Sequence, residues 1–355
     1  MFIKEIKLEN FRNYDFQKIE LNEKTNIIFG DNAQGKTNIL EAIFINSLGK
    51  SFRTNKDKEL IKENKNIAKI EIKFIKNNRE EKTKLELSDK KIFFVNDIPV
   101  KKTSEIIGKI NVVLFTPEDI GILNDDPIKR RKFLNIMISQ LRPLYIHVLS
   151  QYKKTLEQRN NYLKQIKYEN KPKINFEIWD EQLANLGIKI YEYRKEFIEK
   201  INKKIKIIHL GITDEKEKIE IKYKTNINKE NYEEKLIKNR EIDIQKGYTS
   251  VGVHRDDFEI YINEKNAAIY GSQGQQRSSI ISLKLAEAEV IYDEIEDYPV
   301  ILLDDFMSEL DKKRVKGFIQ NIKNNQVLIT TTDKISLDKM VYNLYRVSNA
   351  NVEKL

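Results

Sequence analysis

"IIFGDNAQGKTNILEAIF" (residues 27–44) is an apolar run, a glycine-bounded polar loop and a second apolar run of different period. The first run, with Asn26, reads as a strand buried on both faces. In the last, Ile39, Leu40, Ile43 and Phe44 repeat at helical spacing. The loop between them, "GDNAQGKT" (30–37), fits the pattern G-x-x-x-x-G-K-[ST]. Glycines let backbone N–H groups turn inward around phosphate oxygens, Lys36 can reach the outer phosphates, and the Thr37 hydroxyl can serve Mg²⁺. A chance match would lack these flanks. A strand before the loop and a helix after it put the phosphate at a helix N-terminus, where the backbone already favours an anion.

A phosphate loop that does chemistry needs a carboxylate for the metal and a group to hold a water. "VILLDD" (300–305) offers both. A buried apolar strand ending in acids places Asp304 beside a Mg²⁺ shell and Asp305 where a water can be polarised for in-line attack. Alone, the segment would read as a strand ending in two solvated aspartates; the upstream loop favours the catalytic reading.

The rest of the chain sorts by period. Residues 1–115 read mainly as strands: Ile6 and Leu8, then Ala68, Ile70, Ile72 and Phe74, then Leu85 and Leu87 alternate with charged residues, as in half-buried antiparallel strands. "NIIF" (26–29), "VVLF" (112–115), "PVILLDD" (299–305) and "QVLITTTD" (326–333) are the doubly buried kind, and the two kinds imply a mixed sheet. From Pro117 to about Gly247 the spacing is helical. Leu144, Val148, Tyr152, Leu156, Arg159 and Leu163 form one stripe, Ile190, Phe197, Ile201, Ile205 and Ile208 another, with Pro172 in the connector; Ile219, Ile221 and Tyr223 break the pattern. The expected architecture is an α/β domain made of residues 1–115 and 252–355, interrupted by a mainly helical insertion over 116–251. Packing of the helix 272–296 against the second lobe is left open.

Composition sets limits. The chain has 355 residues, 40% of them apolar, enough for a sizeable core, and no apolar run long enough to span a bilayer. "MFIKEIKLENF" mixes charge into the N-terminus where a signal peptide would be apolar, so a cytoplasmic protein with no membrane partner is expected. The absence of cysteine excludes disulfides and thiolate chemistry, and His147, His209 and His254 are too far apart in sequence to suggest a local metal cluster. A net charge of +9 fits a polyanionic partner only weakly, since Lys and Glu are abundant throughout.

"YGSQGQQRSS" (270–279) is a second loop of donors ahead of a helix. The Ser272 hydroxyl, the Gly274 N–H and the helix N-terminus would cap a γ-phosphate. The phosphate held by Lys36 already has a cradle in its own chain. Two chains arranged head to tail resolve this, each placing Ser272 over the nucleotide on the other's Lys36, with C2 symmetry and with "SELD" (308–311) near the seam.

In this order and spacing, "LENFRNY" (8–14), "GDNAQGKTNILEAI" (30–43), "GKSFRT" (49–54), "VVLFTPED" (112–119), "VGVHRDD" (251–257), "YGSQGQQR" (270–277), "ILLDDFMSELD" (301–311) and "ITTTD" (329–333) span nearly the whole chain, which resembles the RecF family of ABC-type ATPase heads related to SMC proteins. The resemblance implies an ABC-type P-loop ATPase head with ATP and Mg²⁺ as ligands and slow, DNA-stimulated hydrolysis. It implies an ATP-dependent homodimer on duplex, gapped or single/double-strand junction DNA, acting with RecO and RecR to bring RecA to gaps in recombinational repair, with ties to replication and the SOS response. By residue, it implies nucleotide contacts from Arg12, Asn13, Gly30, Asn32, Gly35, Lys36, Thr37 and Asn38, and metal binding by Thr37 and Asp304. Lys36, Asp304 and Asp305 would be catalytic, Ser272, Gln273, Gly274 and Gln275 would form the trans signature, and Ser308 and Asp311 the D-loop. Three positions depart from related patterns: Asp305 stands where transporter-type relatives use glutamate, Thr332 where they place a switch histidine, and Val253 where the family pattern has proline.

No motif announces base readout, so DNA contacts are expected at phosphates, with Lys50, Arg53, Lys129, Arg130, Arg131 and Lys132 as candidates. Two other classes compete: an ATP-switched adaptor whose main ligand is a protein, and a transporter cassette. The insertion, "SQGQQR" in place of "SGGQ", and the missing switch histidine disfavour the cassette.

Overall fold

The doubly buried runs meet in one sheet. In the computed structural model, which describes residues 1–169, 172, 176–213, 215–306, 312–333 and 341–355, five parallel strands lie in the order Tyr342–Ser348, Thr25–Phe29, Val327–Thr331, Val300–Asp304, Val112–Phe115. Asn351–Lys354 closes one edge antiparallel and makes the sheet mixed. Register is set by the apolar residues: Ile27 lies between Ile329 and Leu344, and Leu303 between Ile329 and Phe115. The strand after which the phosphate loop begins is thus internal, and the acidic strand lies two places away across Val327–Thr331.

The half-buried strands form a second, antiparallel sheet in the order Tyr14–Glu20, Phe2–Phe11, Ala68–Lys76, Arg79–Leu87, Lys91–Val95, Ile98–Pro99. Ile3, Ile6, Leu8, Ile70, Ile72 and Phe74 are buried on its inner face. On the outer face, charges pair across strands: Glu5 meets Lys7, Lys18 and Lys73, and Glu71 meets Lys7. The helix Lys36–Leu48 lies between the sheets, touching Val300–Asp304 and Val327–Thr331 on one side and Ala68–Lys76 and Arg79–Leu87 on the other. This is why it is buried nearly all round, with Ile39, Leu40, Ala42, Ile43 and Ile45 fully buried.

The chain divides into two compact units, 1–120 with 204–217 and 277–355, and 121–203 with 218–276. These bounds differ from those expected at 115/116 and 251/252, and backbone pairing gives the reason. Ile219–Lys224, the alternating piece inside the helical region, is a strand that pairs with Asp257–Ile262, Ile221 opposite Ile260. Residues up to Gln276 therefore fall in the second unit, and the end of the helix Phe176–Thr213 falls in the first.

The two long helices Pro143–Glu169 and Phe176–Thr213 bury the predicted stripes, except that Leu144 is exposed and Leu156 half-buried. Arg159, in the first stripe, is fully buried and charge-paired to Asp180 (2.9 Å) and Asp243 (2.7 Å). The segment "VGVHRDD" ties the second unit together. Asp256 accepts from Arg194 (3.2 Å), Thr225 (2.7 Å) and Tyr223; the Val253 carbonyl accepts from Arg194 (2.6 Å). With Val253 in the proline position the turn still forms, and the side chain fills the core. Among the described residues no helix is long and apolar enough to cross a membrane.

His254 Nε2 faces the Thr249 carbonyl at 3.0 Å, so it carries the proton, and Nδ1 accepts from the Tyr152 hydroxyl at 2.8 Å. Burial, with Arg255 and Arg131 nearby, pushes its pKa down to about 4, against the pull of the Thr249 carbonyl and Asp243. The unfolded chain takes up this proton near the ordinary value, the folded chain only near 4. Stability is therefore full above the ordinary histidine pKa and is lost as pH falls toward 4. Chemical denaturation at neutral pH and near pH 5 should show roughly 2 kcal/mol more acid loss in the wild type than in His254→Gln.

Candidate functional site

The phosphate loop is held from three directions. Gly35 caps the helix Lys36–Leu48 at φ 118° and supplies no side-chain acceptor, so the first-turn N–H groups face the loop's concavity. A Cβ on Gly35 would sit 2.7 Å from Asn13 Nδ2 and 2.9 Å from the Tyr14 hydroxyl; one on Gly30 would meet the Val347 carbonyl oxygen at 2.2 Å. Only glycine fits at either place. Asn13 Nδ2 donates to the Gln34 carbonyl (2.9 Å), Asn38 Nδ2 to Asn13 Oδ1 (2.8 Å) and the Tyr14 hydroxyl to the Gly35 carbonyl (3.1 Å). The Lys36 ammonium, nearly buried, donates to the Gly30 (2.6 Å) and Asp31 (2.9 Å) carbonyls and so lies over the loop. Asn32 is exposed at the loop's rim.

The acidic strand meets the loop at Thr37. Its hydroxyl donates to Asp304 Oδ1 at 2.8 Å, and the Thr330 hydroxyl, from the intervening strand, donates to the same oxygen at 2.7 Å. Burial pushes the Asp304 carboxyl up, with a smaller push from Asp305, against the two hydroxyls and Arg53, which pull it down. Asp305 follows at φ 47°, a left-handed conformation uncommon outside glycine, and its N–H faces Thr330 Oγ1 at 3.1 Å. Among the described residues no group of three or more His, Asp or Glu could hold a metal. The oxygen donors of Thr37 and Asp304 suit a hard cation such as Mg²⁺, which completes its shell with water and phosphate oxygens.

Arg12 stands close to this site but is committed elsewhere. Its guanidinium forks onto Glu41 (2.8 and 2.7 Å) and donates to the Glu59 carbonyl (2.8 Å). Glu41 is fully buried and also accepts from Ser51 (2.5 Å) and Arg53 (3.4 Å), while Arg53 donates to Asn38 Oδ1 at 2.8 Å. Arg12 thus braces the loop helix through Glu41. Glu41, Ser51, Tyr14 and Thr330 were missed by sequence reasoning. A single acid inside the apolar run "NILEAIF" was the available signal for Glu41; Thr330 becomes visible only once the strand order places it opposite Asp304.

The signature loop lies in the second unit. Ser272 and Gln275 form a reciprocal cap on the helix Gln273–Ile295: the Ser272 N–H donates to Gln275 Oε1 (3.0 Å) and the Gln275 N–H to Ser272 Oγ (3.3 Å). The Ser272 hydroxyl keeps its proton to donate. Ser272 and Gln273 are exposed and Gly274 half-buried. Ser308 and Asp311 lie outside the described residues. Thr332 is exposed, bonded to Asp333 at 3.3 Å.

Two arginines of the basic cluster expected to contact DNA phosphates are paired within the chain. Arg130 forks onto Asp257 (2.6 and 3.1 Å) and donates to the Asp125 carbonyl (2.7 Å); Arg131 donates to the Asp256 carbonyl (2.6 Å). Both guanidiniums hold the "HRDD" turn, which takes them out of the set suited to DNA phosphates. Lys129 pairs with Asp125 at 2.6 Å; Lys50 and Lys132 are exposed. Arg130→Glu would set two carboxylates against each other and should cost about 3 kcal/mol in chemical denaturation, where an exposed Lys132→Glu costs under about 0.5 kcal/mol.

The model of the RecF/RecN/SMC N-terminal domain matches residues 2–354. The DNA replication and repair protein RecF of Clostridium botulinum (strain ATCC 19397 / Type A) is 45% identical over the full length of both chains. Solved structures of the recombination mediator protein RecF of the RecFOR pathway, in ATPrS and ATP forms, are 37% identical, with TM-scores of 0.93 and 0.92; they cover all of this chain and 98% and 97% of theirs. The chain therefore has the fold of an ABC-type ATPase head and belongs to the RecF family.

Proposed function

We propose that the chain binds and slowly hydrolyses ATP with Mg²⁺ at a site completed by a second copy, and that the closed dimer grips duplex, gapped or junction DNA in recombinational repair. The observation that carries this reading is the bond between the Thr37 hydroxyl, at the phosphate loop, and the Asp304 carboxylate. Two RecF structures of the RecFOR pathway in nucleotide forms support the choice of ligand, and the repair role follows relatives named for replication and repair. RecO and RecR are the expected partners, with RecA reached through them.

Each residue has a task. The N–H groups of the loop and Lys36 bind the phosphates, and Thr37 and Asp304 would hold Mg²⁺, which when bound would supply positive charge against the phosphate oxygens. Asp305 orients and deprotonates the attacking water; one methylene shorter than glutamate, it reaches less far, which fits slow turnover. Asn13 and Asn38 keep the loop open to the ligand, and Arg12 acts through Glu41. In trans, the Ser272 hydroxyl and Gly274 N–H cap the γ-phosphate of the partner's nucleotide, so that loss of this phosphate loosens the dimer and releases DNA. Ser308 and Asp311 are assigned to the same seam, and Lys50 and Lys132 remain as DNA-phosphate contacts.

Lys36→Ala should abolish nucleotide binding in an equilibrium titration, while Ser272→Arg should bind nucleotide and fail to dimerise in analytical ultracentrifugation. Thr330→Val removes one of the two hydroxyls that donate to Asp304 Oδ1 and so loosens the aim of that carboxylate; the maximal ATPase rate should fall several-fold while the Kd for nucleotide changes little. Labelled gapped DNA titrated at physiological salt should bind more tightly with a non-hydrolysable ATP analogue than with ADP. Equal binding in the two states would reduce the DNA contact to charge, and no binding in either would favour the protein adaptor.

A further inference from the structure

The phosphate loop leans on the last hairpin of the chain. Strand Tyr342–Ser348 turns into Asn351–Lys354 through Asn349 and Ala350, with Ser348 opposite Asn351 and both turn residues left-handed (φ 49° and 56°), as a tight two-residue hairpin requires. The Asn349 N–H donates to Gln34 Oε1 at 2.5 Å. Gln34 is the loop residue immediately before Gly35, and its own carbonyl is taken by Asn13. At the loop's other shoulder Gly30 is pressed onto the Val347 carbonyl. Both ends of the loop therefore rest on residues 347–349.

The hairpin is anchored independently of the loop. The Gln17 amide accepts from the Val352 N–H (3.1 Å) and donates to the Val352 carbonyl (3.3 Å), the Tyr345 hydroxyl donates to the Glu20 carbonyl (2.5 Å), and the Leu355 N–H to the Leu344 carbonyl (2.9 Å). A donor fixed in this way narrows the conformations open to a loop that must aim its N–H groups at an anion, and such preorganisation raises affinity by reducing the ordering left to do on binding.

We propose that the turn Asn349–Ala350 is a positioning element of the phosphate loop, acting through the Gln34 side chain on nucleotide affinity. This rests on the nucleotide reading of the site. The test is a double-mutant cycle on the full chain with Gln34→Ala and Asn349→Pro, the latter breaking the turn by removing both the N–H and the left-handed φ that proline cannot adopt. Asn349→Gly, which keeps the N–H and the left-handed backbone, is the conservative variant. The readouts are the Kd for a non-hydrolysable ATP analogue with Mg²⁺ and the Tm of each protein. Each single variant should weaken binding about tenfold, the double variant no further, and Asn349→Gly less than about twofold, with the Tm of Gln34→Ala unchanged. Losses that add in the double variant, wild-type affinity in Gln34→Ala, or affinity that merely follows Tm would overturn the proposal. Wild-type protein that does not bind the analogue would instead refute the nucleotide site itself.

Discussion

One carboxylate oxygen joins the two halves of the site. Asp304 Oδ1 accepts from Thr37, at the start of the loop helix, and from Thr330, on the strand between. That geometry exists only because the strand 327–331 lies between 25–29 and 300–304. Shifting one strand by a single residue would turn Thr330 to the other face and leave the Asp304 carboxylate, already penalised by burial, short of a donor. The register of a parallel sheet thus becomes the register of the chemistry.

The loop around that carboxylate is braced on several sides. Gly30 and Gly35 admit the close approach of Val347 and of Asn13 and Tyr14, and the buried Glu41 locks Arg12, Ser51 and Arg53 into one network beneath the loop helix. Removing one member of such a network leaves charge uncompensated, so its parts depend on one another. Asp305 shows the opposite economy. A left-handed non-glycine residue straight after the strand is strained, and strain of this kind clusters where a side chain must be aimed.

Much of this was legible in the sequence. The loop, its helix and the acidic strand could be read because their patterns are local: an apolar run, glycines at fixed spacing, a helical repeat. The strands at 112–115, 300–304 and 327–331 were equally plain, since burial on both faces leaves an unbroken apolar run. What could not be read depends on contacts between distant segments. Arg130 and Arg131 read as candidate DNA contacts until Asp256 and Asp257 fold beside them, and the sequence gives no sign that Arg12, read as flanking a nucleotide, pairs with Glu41. The domain boundary failed to appear for the same reason: Ile219–Lys224 and Asp257–Ile262 declare themselves partners only through pairing. Charge in a sequence shows what a residue can bind, and only the fold shows what it has already bound.

A phosphate loop and a signature loop in one chain make most sense if neither is complete alone. Ser272 caps its own helix and still has a proton to give, and the rim residue Asn32 and the signature residue Gln273 are both exposed. The absence of cysteine makes such sharing between copies directly testable. Two single-cysteine proteins, Asn32→Cys and Gln273→Cys, mixed and treated with a short bismaleimide, should form a covalent heterodimer with a non-hydrolysable ATP analogue and Mg²⁺, and little with ADP. Cross-linking equal in the two nucleotide states, or absent from both while the analogue is bound, would contradict a site shared between two copies.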